Sequence, residues 1–116
     1  MSITSHTSTL LAMVAASAAF FFSTPVFATG AAAAQTLARQ HGCFKCHAID
    51  KKKEGSSFRE VAAKYKGKAG AEARLYTHIT TGEKAKFADG HEEDHKILKT
   101  KDEKEIKNLI SWILAL

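Results

Sequence analysis

The chain has 116 residues with 17 Lys and Arg against 12 Asp and Glu, a net charge of +5, and only two cysteines. That length leaves room for one domain and no more. A domain this small buries a thin core and needs a staple, and two cysteines three positions apart would close almost no loop as a disulfide.

The first 28 residues read as a targeting segment. Leu10 to Phe22, LLAMVAASAAFFF, is apolar apart from Ser17 and is shorter than the roughly 20 residues a membrane-spanning helix needs. Pro25 follows, then Val26, Phe27 and Ala28, a small-residue ending suited to signal peptidase. No Lys or Arg precedes the apolar run, which departs from the usual basic start. The expectation is a cleaved secretory signal over 1–28 and a mature domain over 29–116 in an exported, periplasmic protein. Every charged residue lies in the mature part, whereas Met1, Met13 and Pro25, the whole stock of methionine and proline, lie in the leader.

Four helices and no strand are expected. The first, Ala31 to His41, places Ala34, Leu37, Ala38 and His41 on one face and stops at Gly42, a residue that accepts positive φ. The second opens on Ser57 with Glu60 three later, a capping box, and carries Phe58, Val61, Ala62 and Tyr65 at helical spacing. Ala71 to Thr80 forms the third, striped by Ala71, Leu75 and Ile79 and ended by Gly82. The last opens on Thr100 with Glu103 and runs through Ile106, Leu109, Ile110, Ile113 and Leu114, with Trp112 beside the stripe. Two connections remain: the charged Ala48–Ser56, and Glu83–Lys99, a length that in so small a domain points to function or disorder.

The chemistry sits in HGCFKCHAID, where Cys43, Cys46 and His47 spell C-x-x-C-H, the attachment signature of c-type haem. Two thiols add to the two vinyl groups, and the turn between them sets the next imidazole under the iron. A thioredoxin-like redox pair would need βαβ units that are not expected here. A zinc finger of Cys43, Cys46, His91 and His95 has far too long a gap between its pairs. His91, Glu92 and His95 also spell the H-E-x-x-H of zinc proteases, but they lie in a loop with no apolar stripe and no third ligand downstream.

CFKCHAID, then GSSFREVAAKYKGKAGAEARL, ITTG and EIKNLISWIL together resemble the class I c-type cytochromes, in particular the short bacterial monohaem electron carriers. The likeness covers nearly all of 31–116 except Glu83–Lys99. It implies an all-α class I cytochrome c fold, with the first and last helices crossing and about four helices wrapped around one covalent haem c. It also implies Cys43 and Cys46 as the attachment points, His47 as the proximal ligand, and an electron carrier rather than an enzyme.

Two departures stand out. Where the family carries Gly-Pro after the haem motif, this chain has Gly55-Ser56, and a backbone carbonyl near Ser56 is left to accept the proximal Nδ1 proton. The family's distal methionine has no counterpart in the mature chain. His41 belongs beside the proximal side, and His78, His91, His95, Lys96 or an open site remain for the distal position. His95, close to the place of the family's methionine, is the expected ligand, and His91 is the alternative.

A second imidazole relatively stabilises ferric iron, so a low-potential bis-histidine haem is expected. If the distal imidazole were labile, the protein would instead be a haem sensor or a binder of CO or NO. Lys45, Lys51, Lys52 and Lys53, joined by Lys64, Lys66 and Lys68, form either a solvated face or a basic collar that steers an acidic redox partner. No aromatic-basic platform for nucleic acid accompanies it, and a monomer is expected.

Overall fold

The computed structural model describes residues 1–2 and 29–116. The expected signal segment therefore lies almost wholly outside the described residues. Among the described residues four α-helices carry the fold: α1 Ala31–Gln40, α2 Phe58–Tyr65, α3 Ala71–Thr81 and α4 Glu103–Leu114. Among the described residues no helix is long and apolar enough to cross a membrane.

The helices α1 and α4 cross and pack most extensively, and α2 and α3 close on the other sides of α4. Each turns its periodic apolar face towards α4. Ile106, Leu109 and Ile110 are fully buried at the centre, with Ala34, Leu37 and Ala38 facing them from α1. Phe58 of α2 meets Trp112 edge-on, ring centres 5.6 Å apart. Beyond the helical end, the Gly30 N–H donates to Asn108 Oδ1 at 2.9 Å and Asn108 Nδ2 donates back to the Gly30 carbonyl at 3.1 Å. These two bonds tie the start of α1 to α4.

The capping box of α2 forms as the sequence indicates. Ser57 Oγ accepts from the Glu60 N–H at 3.1 Å, and Glu60 Oε2 accepts from the Ser57 N–H at 2.7 Å. The start of α4 differs from expectation. Asp102 is the cap, accepting from the Lys104 N–H at 2.9 Å. Thr100 instead accepts from the Asp102 N–H at 3.2 Å and donates to Glu105 at 2.9 Å. A carboxylate at the helix start is favoured by the helix dipole, so Asp102 displaces the hydroxyl two residues upstream.

The expectation of no strands also needs correcting. Lys84–Lys86 (β1) and Glu92–Asp94 (β2) pair antiparallel, with Lys84 opposite Asp94, Ala85 opposite Glu93 and Lys86 opposite Glu92. The hairpin pairs through its backbone and carries charged side chains rather than buried ones. Lys84 Nζ lies 2.6 Å from Asp94 Oδ1, and the turn closes with the Gly90 N–H on the Phe87 carbonyl at 3.0 Å. Gly90 takes φ +92°, which a side chain would resist.

Candidate functional site

Gly42 ends α1 in the left-handed region, φ +72°, and sends the chain into a 3-10 turn over Cys43–Lys45. The N–H groups of Cys46 and His47 both donate to the Cys43 carbonyl, at 3.2 and 3.0 Å. This tight winding gathers two thiols and an imidazole at one cavity of about 380 Å³. Cys43, Cys46 and His47 line it from the first half of the chain, and His78, His95 and Leu98 from the second.

The His47 ring is fixed on three sides. Its Nδ1 lies 2.6 Å from the Ser56 carbonyl. A carbonyl only accepts, so Nδ1 carries the proton and Nε2 keeps its lone pair for a metal. The ring stacks on Phe58 with centres 5.2 Å apart and planes 16° apart. On the remaining side lies Gly55, where a Cβ would stand 2.6 Å from His47 Cε1 and 2.9 Å from Nδ1. Gly55 is itself held by its N–H on the Cys46 carbonyl at 2.8 Å and by the Lys53 N–H on its own carbonyl at 3.1 Å. The Ser56 carbonyl thus takes the role expected of it without a proline, and the bare α-carbon of Gly55 is a cradle that sequence reading did not pick out.

The two cysteines are not joined to each other by a disulfide. Burial pushes the Cys43 thiol up. Burial, followed by the thiol's hydrogen bond to Glu54, does the same for Cys46, whose Sγ lies 3.5 Å from Glu54 Oε2.

His95 follows β2 directly, and its ring enters the cavity. Its backbone N–H donates to the Glu83 carbonyl at 3.1 Å, and three residues on the N–H of the buried Leu98 donates to the Ile79 carbonyl at 2.9 Å. The ring centre lies 6.1 Å from that of His47 and 4.1 Å from that of His78. His95 Nδ1 is buried without a hydrogen-bond partner. Burial first, and then the neighbouring His78 and His47, lower its pKa to about 4. The imidazole is therefore neutral at neutral pH, the state that binds metal.

His91 is not brought to the cavity. It sits exposed near the hairpin turn, stacked on Phe87 with ring centres 4.3 Å apart and Nδ1 bonded to Asp89. His41 reaches the cavity wall with its Nδ1 occupied by the Lys99 N–H at 3.1 Å. His78 turns its Nδ1 to Glu83 Oε1 at 2.6 Å, an oxygen also bonded by Arg74. Arg74, and then His78, hold the Glu83 carboxyl below the usual carboxylate range. Lys45, Lys51, Lys52 and Lys53 are all exposed, and Lys53 Nζ donates to the Phe44 carbonyl at 2.6 Å.

The family model for cytochrome c matches residues 31–116. The chain belongs to the cytochrome c family. Among curated relatives, cytochrome c-551 of Azotobacter vinelandii is 36% identical over 70% of this chain and 94% of its own length. Cytochrome c-551 of Allochromatium vinosum is 32% identical over 82% of this chain and 98% of its own. Among solved structures, the class 1 cytochrome MtoD from Sideroxydans lithotrophicus ES-1 is 57% identical, with a TM-score of 0.71 over 76% of this chain and 97% of that one.

As a class I c-type cytochrome, this all-α chain is a monohaem electron carrier with one haem c attached through its two cysteines. The residues fit that group. A half-buried imidazole whose Nδ1 has no hydrogen-bond partner lines the cavity, and Gly55 clears the space in which the other imidazole stands.

Proposed function

We propose that this cytochrome is exported, holds its haem between His47 and His95, and passes single electrons at a potential below that of histidine–methionine relatives. The haem, when bound, supplies an iron that cycles between Fe(III) and Fe(II). The observation that carries the ligand assignment is the 6.1 Å between the two ring centres. A metal–imidazole bond is about 2 Å long, so two rings at this separation would hold one iron between them. No methionine follows Met13 to compete for the place.

The chain's own residues then divide the work. Ser56 orients the proximal ring, Phe58 stacks on it, and Leu98 and Ile110 keep water from the cavity wall. A second imidazole in place of a thioether favours the ferric state, which lowers the potential. Because His95 is anchored by its own backbone, the reading is a carrier that keeps six ligands in both redox states. Lys45, Lys51 and Lys52 steer an acidic partner, so the association rate falls as salt rises. Export is supported by the apolar leader ending in Val26, Phe27 and Ala28 and by the C-x-x-C-H motif.

Separate substitution of the two loop histidines tests the ligand. His95→Ala should convert the ferric protein from low spin to a high-spin or ligand-accepting form, and His91→Ala should leave its spectrum unchanged. A low-spin spectrum in His95→Ala with its loss in His91→Ala would reverse the assignment.

A further inference from the structure

We propose that Glu83 is the positioning residue of the distal histidine, bracketing His95 through its backbone and, by way of His78, through its side chain. The inference rests on the reading of His95 as the iron ligand. The hairpin itself cannot hold that ligand. Its two strands are exposed at every position but Ala85, and so bury almost nothing that would anchor the residue after β2. Glu83 and His95 are the next pair along the ladder beyond Lys84 and Asp94, and the His95 N–H donates to the Glu83 carbonyl at 3.1 Å.

The carboxylate of the same residue turns the other way. Gly82 takes φ +69° at the end of α3, which folds Glu83 back onto the helix face that carries Arg74 and His78, four residues apart. A carboxylate at a helix C-terminus is opposed by the helix dipole. Here the Arg74 guanidinium and the His78 Nδ1–H both bond its Oε1, the latter at 2.6 Å. His78, fixed in this way, lays its ring against His95 at 4.1 Å between centres, planes 39° apart. One residue therefore fixes both the height of the distal ligand along the chain and the orientation of its ring. The outcome is a distal imidazole whose position is set by Glu83 rather than by burial of the strands.

The test is cyanide binding to the ferric holoprotein, read as a rate, together with the low-spin electron paramagnetic resonance spectrum, which reports the ring's orientation. Glu83→Ala and His78→Phe should each raise the cyanide binding rate about tenfold, the worth of one such hydrogen bond, and shift the g values. Glu83→Gln, whose amide oxygen still accepts from His78, should restore most of the wild-type rate. If Glu83→Ala fails to fold, His78→Phe decides, since it keeps an aromatic ring in place and removes only the bond.

Unchanged rates and g values in Glu83→Ala and His78→Phe, with only the melting temperature lowered, would overturn the proposal. His95→Ala in the same series separates the two readings. Fast cyanide binding in His95→Ala alone sinks the positioning role, whereas slow binding with a low-spin spectrum in His95→Ala sinks the ligand assignment.

Discussion

Replacing Gly55 with alanine tests the proximal side most sharply. The added Cβ would lie 2.6, 2.9 and 3.1 Å from Cε1, Nδ1 and Nε2 of His47. An ordinary carbon contact is about 3.5–4.0 Å, so the ring or the backbone must give by about 1 Å. Neither is free to do so. A ring displacement breaks the 2.6 Å bond to the Ser56 carbonyl and the stack on Phe58. A backbone displacement breaks the 2.8 Å bond from Gly55 to the Cys46 carbonyl, inside the haem motif.

Overpacking costs about 1–3 kcal/mol and the lost hydrogen bond about 1 kcal/mol, so Gly55→Ala should destabilise by about 2–4 kcal/mol. In a domain of this size each kcal/mol moves Tm by about 4–8 °C, so the melting temperature should fall by roughly 10–30 °C. The assay is thermal unfolding followed by circular dichroism and by the Soret band. A Tm within 3 °C of wild type, taking 3 °C as roughly half the shift of one kcal/mol, would refute the close approach on which the cradle rests.

Other expected outcomes follow from the same geometry. Ser57→Ala removes the cap of α2 at a buried position and should cost about 1 kcal/mol in denaturant unfolding, within a range of about 0.5–2; no change would mean the box contributes nothing. Ile110→Ala leaves a cavity at the crossing of α1 and α4 and should cost about 2–5 kcal/mol by the same measurement. His91, raised by its hydrogen bond to Asp89 and further by Glu93, should titrate by nuclear magnetic resonance above the ordinary histidine value of about 6.5. Its contribution to the hairpin is fully present below that unfolded value and is lost as pH rises through the raised pKa. Asp89, lowered chiefly by His91, loses its contribution as pH falls through its own depressed pKa. A His91 pKa at or below 6.5 would contradict the pairing.

The helices were legible because each buries a stripe at helical spacing, and the stripe of α4 ends up under all three of the others. The hairpin was not, because a ribbon solvated on both faces leaves no apolar alternation, and Lys84–Lys86 with Glu92–Asp94 reads as a charged loop. The cap of α4 was misplaced by two residues because Thr100 and Asp102 carry the same capping chemistry, and only the turn around Thr100 decides between them.

At the site, C-x-x-C-H announced itself through spacing, and the Ser56 carbonyl could be anticipated from the place of the missing proline. Gly55, His78 and Glu83 could not be assigned their places. Their roles depend on a Cβ that is absent, a ring contact across the cavity and a ladder rung, none of which leaves a periodic trace. One usable signal was the adjacency of Gly82 and Glu83 to a helix bearing Arg74 and His78 four apart.

The central claim is a haem held by two imidazoles in both redox states. It is tested most directly by one set of optical spectra of the purified holoprotein, oxidised, reduced, and reduced under CO at neutral pH. The account predicts low-spin six-coordinate spectra in both states, no far-red thioether charge-transfer band in the ferric form, and no CO adduct. A thioether band, a high-spin ferric spectrum or a CO adduct formed on mixing would contradict it.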